Sequence, residues 1–209
     1  MLSSAITWPA LIANDAQIKT AVRQPRNDIP VDGDRLINDN VMRCSKDPQP
    51  ASETVNVRAG SVVGFTANPI IFYGGPTAMY LGKVPSGFTA STWDGSGTNW
   101  FKIAHWGVVT EPWFDWVTLR GRNVTTTIPT NTPTGEYLLR VEHASMEQHQ
   151  RPKFLISCAQ IRVTNGGSGN PTPKVAIPGH LKVTEPGFTY NSAGPLLPYQ
   201  IPGPTPWKG

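Results

Sequence analysis

Two apolar runs, Tyr137 to Val141 and Phe154 to Val163, constrain this chain more than any other feature. Both are rich in large apolar and β-branched residues and too short for buried helices, so they read as strands. The segment between them, His143 to Lys153, is polar. It carries His143, Glu147 and His149, with Glu142 at its edge, and Cys158 sits inside the second run. A polar, titratable loop held between two buried strands is where a β protein usually places its chemistry. Gly 20 and Pro 21, about a fifth of the 209 residues, supply turns and forbid long helices. A chain of this length fits one all-β domain, expected over residues 1–209.

Apolar residues, 38% of the chain, are enough for a core. No apolar stretch approaches the roughly 18 residues of a membrane span. The net charge of +4 is scattered without a Lys/Arg cluster, so neither a membrane nor a nucleic acid is an expected partner. The only cysteines are Cys44 and Cys158. In an exported protein they would pair, closing a loop of roughly 110 residues and stabilising the fold by about 4 kcal/mol. In a cytosolic protein they would be two buried thiols. The sequon Asn123-Val124-Thr125 makes Asn123 a candidate glycosylation site and favours the secretory route. Met1-Leu2-Ser3-Ser4 has no basic start and no long apolar follow-on, so the chain is expected to be a mature or engineered form of an exported protein.

Along the chain, residues 5–13 form a short strand interrupted by Pro9, and Asn14-Asp15 signals a turn. Arg23 to Asn40 reads as a long surface loop packed back by Ile29, Val31 and Ile37. Val55 to Arg58, Ala59-Gly60 and Ser61 to Phe65 have the form strand, tight turn, strand. Ala78 to Val84 and Asn123 to Ile128 are further strands, and 86–98 is a Gly/Ser/Thr-rich loop. Trp100, Trp106, Trp113 and Trp116 make either packing aromatics or a sugar-stacking platform, packing being the commoner use. From Gly166 onward glycines and prolines forbid continuous sheet, yet apolar residues recur; segment 166–209 is therefore expected to wrap the body.

Lone constellations give little chemistry. His143, Glu147 and His149, with Glu142, could hold a metal, but their spacing matches no metal signature, and solvated loop residues are the plainer reading. Asp94, Glu111 and Asp115 could supply a glycosidase acid pair, though nothing in their spacing selects two of them. No Gly-x-Ser-x-Gly elbow supports a serine triad. His105 reads as a partly buried packing residue, and His180 as a surface residue of the carboxyl-terminal wrap.

Several phrases occur together in a fixed order: Gly75-Pro76-Thr77-Ala78-Met79-Tyr80-Leu81-Gly82-Lys83-Val84-Pro85, Trp100-Phe101-Lys102-Ile103, Gly135-Glu136-Tyr137-Leu138-Leu139-Arg140, Cys158-Ala159-Gln160-Ile161, Ile177-Pro178-Gly179, Glu185-Pro186-Gly187 and Tyr199-Gln200-Ile201-Pro202-Gly203-Pro204. In these the chain resembles the fungal lytic polysaccharide monooxygenases of the ninth auxiliary-activity family, formerly glycoside hydrolase family sixty-one, from about residue 20 to the end. The resemblance implies a secreted, all-β, antiparallel β-sandwich of immunoglobulin or fibronectin type III kind, with long loops and at most short helices. It also implies a Cys44–Cys158 disulfide.

The chemistry implied is copper-dependent oxidative cleavage of cellulose or related glucans. The family's copper is held by a histidine brace: an amino-terminal histidine, and a second one shortly before a Gly-Pro pair. An axial tyrosine and an outer histidine and glutamine surround it. Neutral nitrogen donors suit copper, and outer-shell donors orient what binds to it. Carried over residue by residue, the second brace position falls on Tyr73, the outer histidine on Glu147, the glutamine on Lys153 and the axial tyrosine on Leu155. No histidine precedes His105. The expectation is a secreted, non-catalytic homologue with a lost copper site, recognising a polysaccharide, cell wall or protein partner, with Glu147 and Lys153 paired where the metal would have been. The segment in which family members stack glucan falls on Asn191-Ser192-Ala193-Gly194-Pro195, which offers no ring and argues against cellulose as a strong ligand. The flanking Tyr190 and Tyr199 are the candidate sugar-contacting rings. The alternative is a copper monooxygenase with atypical ligands.

Overall fold

The computed structural model describes residues 6–25, 30–146, 152–190 and 198–209. In chain order its elements are β1 (Thr7–Ala13), β2 (Ala16–Ile18), β3 (Val31–Asp32), α1 (Gly33–Leu36), α2 (Val41–Cys44), β4 (Val55–Arg58), β5 (Val62–Asn68), β6 (Thr77–Lys83), β7 (Trp100–Trp106), β8 (Val108–Val109), β9 (Asp115–Trp116), β10 (Asn123–Thr127), β11 (Gly135–Ser145) and β12 (Lys153–Thr164). They form a sandwich. A sheet of order β10-β5-β1-β2 faces a larger one of order β3-β12-β11-β6-β7, to which β4 adds by pairing with β12. All pairings are antiparallel except β4 with β12, and the only helices among the described residues are two single turns.

Local chemistry explains the small sheet. Asn14 and Asp15 take φ of 51° and 59°, so the turn signal closes the β1–β2 hairpin through a two-residue left-handed turn. Pro9, which cannot donate to a ladder, lies where the β1–β5 register shifts between Thr7 and Ala10. The strand-turn-strand at Val55 to Phe65 is not a hairpin. β4 pairs with β12 in the large sheet and β5 with β1 and β10 in the small one, so Ala59-Gly60 crosses between layers. Alternation alone cannot say which sheet a strand joins.

β11 and β12 are covered on both faces. Tyr137, Leu139, Val141 and Ile161 point between the sheets, where they meet Leu11, Phe65, Leu81 and Phe101. Leu138, Ile156 and Cys158 point outward into a second apolar cluster with Met42, Trp93, Trp100, Ile177 and Phe188. Burial on both faces is why these strands read as unbroken apolar runs. Cys44 at the end of α2 is joined to Cys158 by a disulfide, tying the Arg23–Asn40 region to the large sheet. Val31 and Ile37 of that region are buried, while Ile29 lies outside the described residues. Beyond Thr164 the described chain has no helix or longer strand. It is held by bonds such as Trp207 N to Lys102 O and by the Trp207 ring against Phe101.

Candidate functional site

The predicted polar loop is shorter than the sequence suggests. β11 runs on to Ser145 and starts pairing with β12 at Lys153, so His143 stands opposite Leu155 inside the ladder. The strands extend because β6 pairs β11 out to His143 as well, giving these polar residues ladder partners on both sides. His143 is therefore no solvated loop residue: it is fully buried. Its Nε2–H donates to the Tyr73 carbonyl at 3.1 Å, and its Nδ1 accepts from Thr77 Oγ1 at 2.8 Å. Thr118 Oγ1 lies 2.9 Å from Thr77 Oγ1 and donates to it. A carbonyl can only accept, so Nε2 carries a proton; with the ring kept neutral by burial, Nδ1 is then the acceptor. Burial pushes His143 down to about 4, against a smaller opposing effect of the Tyr73 bond. Both ring nitrogens are engaged, and neither is open to a metal.

That histidine anchors the segment on which Tyr73 sits. Met146 N donates to Gly74 O, and Ala144 N to Pro76 O. A side chain at Gly75 would collide with the Ala144 carbonyl, and one at Gly74 with the Trp116 ring, so the Gly-Gly pair permits the close approach. Tyr73 itself is half-buried, packed on the inter-sheet core with its ring tilted against Phe72 at 4.3 Å. Leu155 is buried in the same core, and its carbonyl accepts from Trp8 Nε1 at 3.2 Å. Lys153 opens β12. Glu147 and His149 lie outside the described residues, as does the expected Glu147–Lys153 pair. Among the described residues no group of three or more His, Cys, Asp or Glu is placed to hold a metal.

His180 corrects the sequence reading more sharply. It is buried, not on the surface, and its Nε2 meets Glu142 Oε2 at 2.9 Å. Arg140 Nη2 reaches the same oxygen at 2.6 Å and also donates to the Met42 carbonyl. Burial alone would raise Glu142, but Arg140 and His180 hold it well below the usual carboxylate range. The period-2 pleat puts Arg140 and Glu142 on the outward face of β11, beneath the carboxyl-terminal segment that brings His180. Nothing local in the sequence brings residues 142 and 180 together. Two of the three rival acids are already engaged, Asp94 with Arg43 at 2.7 Å and Asp115 with Arg120, while Glu111 is exposed. His105 is half-exposed in β7 and held down to about 4 by burial, Lys102 and Lys208.

The tryptophans divide by role. Trp93 and Trp100 stack within the outer cluster, with centroids 5.5 Å apart. Trp116 joins Phe114, Tyr190 and Tyr199 in a closed ring of four aromatics: Phe114–Trp116 at 5.8 Å, Trp116–Tyr199 at 5.2 Å, Tyr199–Tyr190 at 5.2 Å and Tyr190–Phe114 at 5.9 Å. Tyr190 and Tyr199 are thus packed against the Trp-rich hairpin, a contact no local sequence signal indicates. Beside this ring Trp113 is 69% exposed. Of the seven exposed large hydrophobic residues described, five (Ile70, Phe72, Val109, Trp113, Val117) belong to the two segments that meet here. Those segments are joined by Ile71 N to Gly121 O and Arg120 N to Ile71 O. The result is an apolar, aromatic end of the sandwich around the Tyr73 segment.

The family model described as Auxiliary Activity family 9 (formerly GH61) matches residues 6–198. The chain belongs to that family. It is 40% identical over 215 residues to AA9 family lytic polysaccharide monooxygenase H of Malbranchea cinnamomea, covering 99% of this chain and 94% of the relative. It is 41% identical over 176 residues to AA9 family lytic polysaccharide monooxygenase C of Emericella nidulans, covering 80% and 75% of the two chains. Among solved structures, a cellulose-active polysaccharide monooxygenase from M. thermophila superposes with a TM-score of 0.81 at 26% identity, over 98% of this chain and 99% of that one. The family's sandwich is thus present along nearly the whole described chain.

Proposed function

We propose that this protein is a secreted, non-catalytic member of Auxiliary Activity family 9 that has lost the family's copper brace and associates with polysaccharide through its aromatic end. The observation that carries this reading is the residue set at the positions the family uses for copper. Tyr73 offers a phenol where the brace would offer an imidazole. Leu155 offers a core-packed aliphatic chain where the axial tyrosine would stand. Lys153 contributes an ammonium, which has no lone pair to give until it is deprotonated. Such a set does not fit copper, whose sites in proteins draw on imidazole and amine nitrogens. The nearest described imidazole, His143, spends both nitrogens on Thr77 and the Tyr73 carbonyl.

The aromatic end supports a binding role. Exposed Trp113 and Phe72 present apolar ring surface beside a rigid four-ring cluster, and a pyranose ring's apolar face packs well on such groups. The Asn123 sequon fits secretion: Asn123 and Thr125 point outward from β10 while Val124 is buried, so a glycan has room. No described helix is long and apolar enough to cross a membrane.

Copper titration of the full chain, followed by calorimetry and electron paramagnetic resonance, should reveal no tight type 2 site. Incubation with swollen cellulose and ascorbate should release no oxidised oligosaccharides, while pull-down on insoluble glucan should retain the protein and lose it on Trp113→Ala. A sub-micromolar cupric site would establish the rival reading, a copper-dependent monooxygenase acting on cellulose or related glucans with atypical ligands.

A further inference from the structure

A cleft of about 440 Å³ lies on the outer side of the large sheet, away from the Tyr73 segment. It opens around the disulfide, between the α2 region and the 86–98 loop. Cys158 stands opposite Arg140, three residues along β11 from His143, or roughly 10 Å at the rise of a strand. Its floor belongs to the outer apolar cluster, whereas Tyr73 packs on the inter-sheet one.

We propose that this cleft binds a short, uncharged oligosaccharide. Its volume falls in the range of small-ligand sites. Its lining carries charges of both signs, Arg23 and Arg43 beside Asp39, Asp47 and Asp94, with the amide of Asn40 and the hydroxyl of Ser91. A ligand carrying net charge of either sign meets a like charge there. A hydroxyl, which both donates and accepts, meets a partner wherever it points. Arg23 adds a fixed guanidinium to the wall. It is buried, and its Nη2 is fixed by the Ala90 and Trp93 carbonyls at 2.6 and 2.7 Å, yet its Nε has no partner. A buried guanidinium nitrogen left without an acceptor is uncommon.

The walls are also preorganised. Arg43 is held at two points, Nε on the Ile177 carbonyl at 3.0 Å and Nη1 on Asp94 Oδ2 at 2.7 Å. Asp94 is itself fixed by Ser96 N at 2.9 Å. Asn40 and Asp47 are exposed, and neither side chain spends itself on capping or pairing: Asn40 begins α2 without a side-chain cap bond. Trp93 lies beneath but is 1% exposed, so it offers no ring to stack on. Recognition here rests on hydrogen bonds to hydroxyls, and the expected affinity is modest.

The test uses the full chain, ¹⁵N-labelled, with cellotetraose and xylotetraose as neutral probes and tetragalacturonate and a glucosamine tetramer as charged ones. A neutral tetramer is expected to shift the amides of Asn40, Asp47 and Ser91 to Asp94. Asp47 has φ of 45°, which glycine adopts freely, so Asn40→Ala with Asp47→Gly removes both side chains at no backbone cost. Losing two hydrogen bonds should weaken binding by about tenfold. Trp113→Ala should leave it unchanged. The proposal is overturned if no neutral tetramer shifts those amides, if a charged tetramer binds more tightly than the neutral ones, or if Trp113→Ala abolishes binding that the double variant leaves intact. That last result would leave the aromatic-end reading standing, and a copper site would leave the cleft standing.

Discussion

His143 should make this protein acid-labile in a defined window. In the folded chain it is neutral, with Nε2–H on the Tyr73 carbonyl and Nδ1 taking the Thr77 hydroxyl proton. Its folded pKa of about 4 lies below its unfolded value near 6.5, so the unfolded state binds the proton more readily. Stability from this group is therefore fully present above about pH 6.5 and is lost as the pH falls toward 4. A displacement from 6.5 to about 4 corresponds to roughly 3 kcal/mol across the window. His105 and His180, both also pushed down by burial, act in the same direction. Glu142 acts only at lower pH, below the ordinary carboxylate range. His143→Gln isolates the contribution, since glutamine can still donate to the Tyr73 carbonyl but does not titrate. Urea unfolding from pH 7.5 to 4.5, followed by tryptophan fluorescence, should give a shallower fall for the variant, by up to about 1.4 kcal/mol per pH unit at the steepest point. Equal slopes for the two proteins would refute the assignment, as would a wild type that is more stable at pH 4.5 than at 7.5.

Two further outcomes follow from the buried groups. Glu142→Gln should destabilise the fold by about 3 kcal/mol at pH 7, because it strands the Arg140 guanidinium in the interior. The folded pKa of Glu142 is depressed, so wild-type stability from this group is present above about pH 4.3 and fades below it. The gap between the two proteins in chemical denaturation should accordingly narrow as the pH drops from 5 to 2; a constant gap would contradict the pairing. Replacing Cys44 and Cys158 together by serine opens a separation of 114 residues and should lower stability by about 4 kcal/mol, read as a reduced urea midpoint.

The resemblance made the fold readable, and the residues bore it out where periodicity was strong. β11 and β12 lie on the two apolar runs, and β10 on the Thr-rich segment. The cysteines pair as the resemblance implied. The misreadings share a cause. His143 looked like a loop residue because polarity in a short window signals solvent, whereas the ladder and Thr77 satisfy it inside the protein. His180 looked superficial because its neighbours are Pro, Gly and Lys, but the partner that keeps it buried, Glu142, is 38 residues away. The Val55–Phe65 segment looked like a hairpin because alternation is the same whichever sheet a strand enters.

What the order of residues determined alone is what depends on near neighbours: extended backbone where β-branched and aromatic side chains crowd, a left-handed turn at Asn14-Asp15, and a break in pairing at Pro9. Tertiary structure decided everything that requires distant segments to meet. It set Tyr190 and Tyr199 against Phe114 and Trp116, and it drew Arg140, Glu142 and His180 into one buried pairing. The reason is that a side chain's protonation, partners and exposure depend on what the rest of the fold places within a few ångströms of it, and one-dimensional spacing carries no such distance.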